Sequence, residues 1–164
     1  MMRPMELEFY GEMGMKYLDM QYMMGDSLMV APIFNENGTA EFYLPEGTWT
    51  HALSGEVKTG GKWYEEKYDY MSLPLFVRDN TIFAVHDGMK VPDYDYREGT
   101  TFKIYALEDG KCAECFVTDV KGANKVTVKA VRNGNTVKIS VDGELKDAKF
   151  ELVSMDADIT IVCE

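Results

Sequence analysis

From residue 25 onward, short stretches that alternate apolar with polar residues are cut by turn signals at a spacing of about ten residues. That rhythm constrains the chain more than any other feature, because a period of two presents one apolar face per strand and needs a second sheet to cover it. "AEFYLP" sets Phe42 and Leu44 against Glu41 and Tyr43, and "TFKIYAL" sets Phe102, Ile104 and Ala106 against Lys103 and Tyr105. "NKVTVKAV", "NTVKISV", "AKFELV" and "DITIVCE" follow, separated by "RNGN", "VDGELKD" and "SMDA". Asn133-Gly134 is the strongest hairpin signal and predicts a type I′ turn with positive φ at both residues. Pro45 and Pro74 fall where strands end, where a missing N–H is tolerated.

The expected fold is therefore all-β, in two small antiparallel β-sandwiches over 25–98 and 99–164. The best boundary between them is "YREGT", residues 96–100. Residues 1–24 form a preface in which methionine is concentrated. Met2 to Phe9 reads as a short strand running into a loop. Met15, Leu18 and Tyr22 fit the face of one short helix near 15–22, bounded by Gly14 and Gly25.

A net charge of −11 and a pI near 4.6 argue against nucleic acid and anionic membrane as partners, since both need clustered Lys and Arg. No stretch reaches the roughly 18 apolar residues of a membrane span. The methionine-rich start has no basic segment followed by an apolar one, which predicts no signal peptide. Three cysteines make no disulfide framework, so a cytoplasmic location is expected.

Chemistry-bearing motifs are sparse. Nucleophile elbows, zinc-protease helices, phosphate loops and dinucleotide fingerprints do not occur. Cys112 and Cys115 share C-x-x-C spacing, but in a strand they face opposite sides and neither His51 nor His86 is near in sequence. Both histidines read as surface or edge residues without a catalytic partner. Glu65 and Glu66 point to opposite faces of their strand. Asp93 and Asp95 share a face but bring too few oxygens for calcium, and Asp26 reads as a turn residue. Trp49, Trp63, Tyr64, Tyr68 and Tyr70 offer faces on which a sugar can stack, although filling a sandwich core is the stronger reading. No catalytic, cofactor-binding or metal-binding residue is assigned.

The ordered series "MMRPM", "QYMMGDSLMVAPIF", "EFYLPEGTWTHALSGE", "GGKWYEE" and "LPLFVRDNTI" resembles glycoside hydrolase family 31, in the region just after its catalytic barrel. "VPDYDYREGT" leading into "FKIYAL" is most similar to the α-xylosidase branch. The resemblance covers residues 1–108, whereas 109–164 agree only in kind with the family's distal sandwich.

It implies that "MMRPM" is a remnant of the last strand of a (β/α)8 barrel. Residues 25–98 are then the proximal sandwich and the remainder the distal one. It further implies a retaining, exo-acting α-glycosidase as the parent, with an α-glycoside as its substrate. The catalytic aspartates of such an enzyme lie in barrel motifs absent here. No catalytic role therefore passes to Asp19 or Asp26, while Arg3 matches an Arg-Pro that supports the pocket. The partner implied is the barrel itself. The alternative is a stand-alone carbohydrate-binding module.

The unbroken apolar run Leu28–Ile33 fits this picture as a docking strand. One face is expected to meet the sandwich core and the other the barrel. In the chain alone that second face is expected to be bare and to drive association into a homodimer.

Overall fold

The computed structural model describes residues 1–12, 19–86 and 93–163. Its contacts divide the chain into two units, Met1–Asp79 and Asn80–Glu164.

In the first unit a six-stranded sheet runs in the order β1 (Met2–Pro4), β2 (Tyr22–Met24), β3 (Leu28–Val30), β8 (Leu75–Arg78), β5 (Thr48–His51), β6 (Val57–Thr59). A separate ribbon pairs β4 (Thr39–Leu44) with β7 (Lys62–Lys67). The alternation seen in "AEFYLP" places Phe42 inward, where it stacks on Tyr64 at 5.7 Å and meets Phe76 at 5.3 Å. Met5, Met23, Met29, Leu44 and Trp49 complete this core, all at most 1% exposed.

Paired residues across a sheet share a face. One row on the core side reads Arg3, Met23, Met29, Phe76, His51, and the next reads Arg78, Trp49, Lys58. Gln21 replaces a strand beside β4. Its amide donates to the Tyr43 carbonyl and accepts the Tyr43 N–H, both at 2.8 Å. Gly60 is required by close approach: a Cβ there would stand 1.6 Å from the Pro45 carbonyl oxygen. That oxygen also accepts the Trp49 indole N–H at 2.8 Å.

The second unit faces β9 (Thr81–Val85), β10 (Thr101–Tyr105) and β14 (Lys149–Val153) against β11 (Cys112–Thr118), β12 (Lys125–Asn133), β13 (Thr136–Asp142) and β15 (Asp158–Cys163). Ile82, Phe102 and Ile104 from one sheet meet Val128, Ala130 and Ile139 from the other.

Several expectations need correction. β9 pairs with β10, so the contact division falls at Asp79/Asn80 and not at 96–100. The chain turns there because Asn80 takes a left-handed φ of 52° and its side-chain oxygen accepts the Glu108 N–H. The sandwiches are not wholly antiparallel, since β10–β14 and β13–β15 pair in parallel. Asn133 pairs with Thr136, so the hairpin loop is Gly134-Asn135. Positive φ falls on Gly134 and not on Asn135, which fits Gly at the first central position of a II′-like turn.

"MMRPM" is not set apart as a barrel remnant. β1 is the edge of the first unit's own sheet, and a 3-10 turn at Met5–Leu7 drops Met5 into the core. Of the short helix expected at 15–22, residues 15–18 lie outside the described residues, and Tyr22 opens β2 instead.

Candidate docking surface

The first twelve residues are held to the sheet by charge. The Arg3 guanidinium donates to Glu8 at 2.7 Å and to the Gly25 carbonyl at 2.9 Å, and it pairs with Asp26 at 2.8 Å. The second carboxylate oxygen of Glu8 pairs with Arg78. Arg78 in turn lies over Phe9 at 5.2 Å and Trp49 at 5.9 Å. These contacts follow from register: Arg3 and Arg78 lie on the core side of the sheet, and a carboxylate must bridge them to keep two cations on one face. Glu12 extends the strap by accepting the Glu46 N–H at 3.2 Å. Burial first, and then Glu12, hold the Tyr43 hydroxyl above its ordinary pKa.

On the opposite side of the sheet, one row reads Met2, Met24, Leu28, Val77, Thr50. Its exposure runs 69%, 43%, 3%, 0% and 1%. The row runs on to Val57 of β6, which is 49% exposed, so it is dry at its centre and bare at both ends: Met2 and Met24, with Met1 beside them, at the β1–β2 end and a single valine at the other. This revises the expectation for Leu28–Ile33. The strand covers only Leu28–Val30, and Leu28 and Val30 are buried within this chain on the side expected to be bare. The open apolar surface lies at the sheet edge instead, beside a strand paired on one side only.

The remaining candidates have structural duties. His51 is buried, not superficial: its Nδ1 accepts the Ser54 N–H at 3.1 Å, so Nε2 carries the proton and donates to the Leu73 carbonyl at 3.0 Å. The ring of His86 meets Tyr94 at 5.0 Å and stands against Gly99.

Glu65 and Glu66 do face opposite ways, and the inward Glu66 pairs with the buried Lys58 at 2.6 Å and accepts the Tyr68 hydroxyl at 2.7 Å. Burial opposes the charge of Lys58, but Glu56 and Glu66 outweigh it and hold the ammonium above its usual pKa. Asp95 is tied to Arg97, which lowers its pKa to about 2; Asp93 is exposed. Cys112 and Cys115 are free thiols, and burial pushes that of Cys115 up, away from reactivity. Trp49 is 1% exposed and closed to any sugar, whereas Trp63 is 38% and Tyr70 fully exposed. Among the described residues no three His, Cys, Asp or Glu side chains gather as a metal site.

The sequence reading singled out Arg3 but missed Glu8, Arg78 and Gln21. Arg3 and Arg78 are 75 positions apart, and only strand order brings them to one carboxylate.

Comparison with known proteins agrees with this architecture. The model of the glycosyl hydrolase family 31 C-terminal domain matches residues 1–83. The model described as the C-terminal domain of α-xylosidase YicI matches residues 95–162, so the likeness read from "VPDYDYREGT" and "FKIYAL" extends specifically through residues 109–162, which had agreed only in kind. The α-xylosidase XylQ of Lactiplantibacillus pentosus is 33% identical over 98% of this chain and 23% of that protein. Among solved structures, the family 31 dextranase of Flavobacterium johnsoniae superposes with a TM-score of 0.73 at 22% identity, over 84% of this chain and 18% of the other. The family 31 α-xylosidase of Xanthomonas citri does so with 0.66 at 19%, over 99% and 18%. Both structural likenesses concern the fold. The chain spans less than a quarter of the length of these relatives. With the family model covering residues 1–83 and the α-xylosidase model most of the rest, the chain belongs to glycosyl hydrolase family 31, as the C-terminal region of an α-xylosidase-like member.

Proposed function

We propose that the chain is the non-catalytic C-terminal support of a retaining α-glycosidase acting on α-xylosides, and that it works by packing the β1–β2 edge of its first unit against the catalytic barrel. The observation that carries this reading is the row Met2, Met24, Leu28, Val77, Thr50, Val57, which exposes two methionines beside Met1 at the β1–β2 end against one valine at the other. An apolar edge strand left open invites association, and a neighbouring domain is the economical cover.

The strap of Arg3, Glu8 and Arg78 fixes the direction in which residues 1–12 leave the sheet. Arg3 then acts as a positioning residue, with its guanidinium committed to Glu8, Asp26 and Gly25. In the chain by itself, a second copy covers the same edge. We place the enzyme in the cytoplasm, a reading that the free thiols of Cys112 and Cys115 support.

Hydrolysis of an aryl α-xyloside tests the assignment. The intact enzyme should turn it over and this chain should not. Turnover by the chain above a heat-treated blank would contradict the support role, and an intact enzyme inert on every α-xyloside would contradict the substrate class.

A further inference from the structure

The outer face of the β4–β7 ribbon carries a feature that support of a barrel does not use. Tyr43 pairs with Trp63, Glu41 with Glu65 and Thr39 with Lys67 along that face. Two adjoining clefts of about 470 and 510 Å³ lie on it and share Met20 and Glu41 as walls. Trp63 and Asp19 line the first, and Glu65, Phe34 and Asn37 line the second. Trp63 leans on Tyr43 at 5.6 Å with an interplanar angle of 57°, which seats the indole while leaving it 38% exposed. Successive pairs on one face lie about 7 Å apart, so the row from Trp63 past Glu41 and Glu65 to Thr39 is about 14 Å long. That length suits two or three pyranose rings.

The charge pattern narrows the ligand. Among the described residues, three carboxylates, Asp19, Glu41 and Glu65, line the clefts, and no Lys or Arg does. Glu41 and Glu65 stand directly opposite in register, a like-charge pairing that costs stability. Among the described residues neither is joined in a salt bridge. Carboxylates accept hydrogen bonds from hydroxyl groups, and an indole face packs against the C–H face of a sugar ring. The same carboxylates repel anions.

We propose that this groove binds a short neutral oligosaccharide, with Trp63 as the stacking platform and Glu41 and Glu65 as acceptors for vicinal hydroxyls. The site belongs to this chain's own first unit and does not depend on the assignment of the parent's substrate.

Titration calorimetry of the 164-residue chain with isomaltotriose and with a xylosylated gluco-oligosaccharide tests it, alongside tri-galacturonic acid as the anionic probe. Tryptophan emission reports the same event, because Trp49 is sealed and only Trp63 can respond. The expected result is saturable binding of at least one neutral probe with a blue shift, and none of the anionic probe. Trp63→Ala should weaken binding about tenfold or more. Glu65→Lys should abolish binding while preserving the fold, since it replaces a like-charge pair with an opposite one. No response to either neutral probe, an unchanged response in Trp63→Ala, or equal binding of the anionic probe would each overturn the proposal.

Discussion

Glu8→Ala removes the one carboxylate that joins Arg3 to Arg78. A hydrogen bond to a charged group contributes about 1.5–3 kcal/mol when buried. Here the three side chains are 24–30% exposed, so solvent screening brings each contact down to about 0.5–1 kcal/mol. The substitution also leaves two guanidinium groups facing the same gap, each with a buried Nε–H that already lacks a partner. The expected loss is about 2 kcal/mol.

Both tryptophans lie in the first unit, so their emission follows its unfolding in urea without interference from the second. With a slope of about 2 kcal/mol/M, the midpoint should fall by about 1 M at unchanged slope. In 1 M salt, where the screening length is about 3 Å, the loss should shrink but not vanish. A double-mutant cycle with Arg78→Ala should return a coupling of about 1 kcal/mol. A loss below about 0.3 kcal/mol, or no coupling, would refute the idea that this strap holds the N-terminal segment to the sheet.

Other consequences follow from the same geometry. Met5→Ala should cost about 2–5 kcal/mol by urea denaturation, because Met5 is fully buried; a loss typical of a surface site would remove residues 1–12 from the core. Gln21→Ala leaves the Tyr43 N–H and carbonyl unpaired and should cost about 2 kcal/mol or more, visible as faster amide exchange at Tyr43. Burial and then Glu66 raise the pKa of Tyr68 above the ordinary value near 10, so its neutral form is favoured by folding. That contribution is complete below pH 10 and lost as pH rises further, and a spectroscopic titration should find one late tyrosine that Glu66→Gln brings earlier. Asp95 runs the other way. Its pKa is lowered from 3.8 to about 2, so its contribution is present above the ordinary value and lost as pH falls through about 2, which carboxyl NMR can follow.

How legible the molecule was from its sequence depended on range. Local alternation placed most strands, because period two reports a half-buried strand directly. It could not show that β9 joins β10, since "TIFAV" follows "RDN" at hairpin spacing and only pairing energies across the fold choose its partner. Nor could it show the parallel pairings, in which β14 and β15 return beside strands far back in the chain.

The dryness expected of Leu28–Ile33 holds for Leu28 to Ala31, while Pro32 and Ile33 are half-buried, and its cause was misread. Both faces are covered within this chain, and the bare methionines lie one and two strands away, at Met24 and Met2. Among the site residues, Arg3 was legible through its motif. Glu8 lies in no quoted motif and Arg78 is not singled out within "LPLFVRDNTI"; their role appears only when strand order brings Arg78 and Arg3 to the Glu8 carboxylate.

Hydroxyl-radical footprinting of the methionines tests the docking surface most directly. In this chain alone, Met2 and Met24 should oxidise readily while Met5, Met23 and Met29, all fully buried, resist. In the intact enzyme Met2 and Met24 should become protected to the level of the buried three. Equal oxidation of Met2 and Met24 in the chain and in the intact enzyme would show that the barrel packs elsewhere.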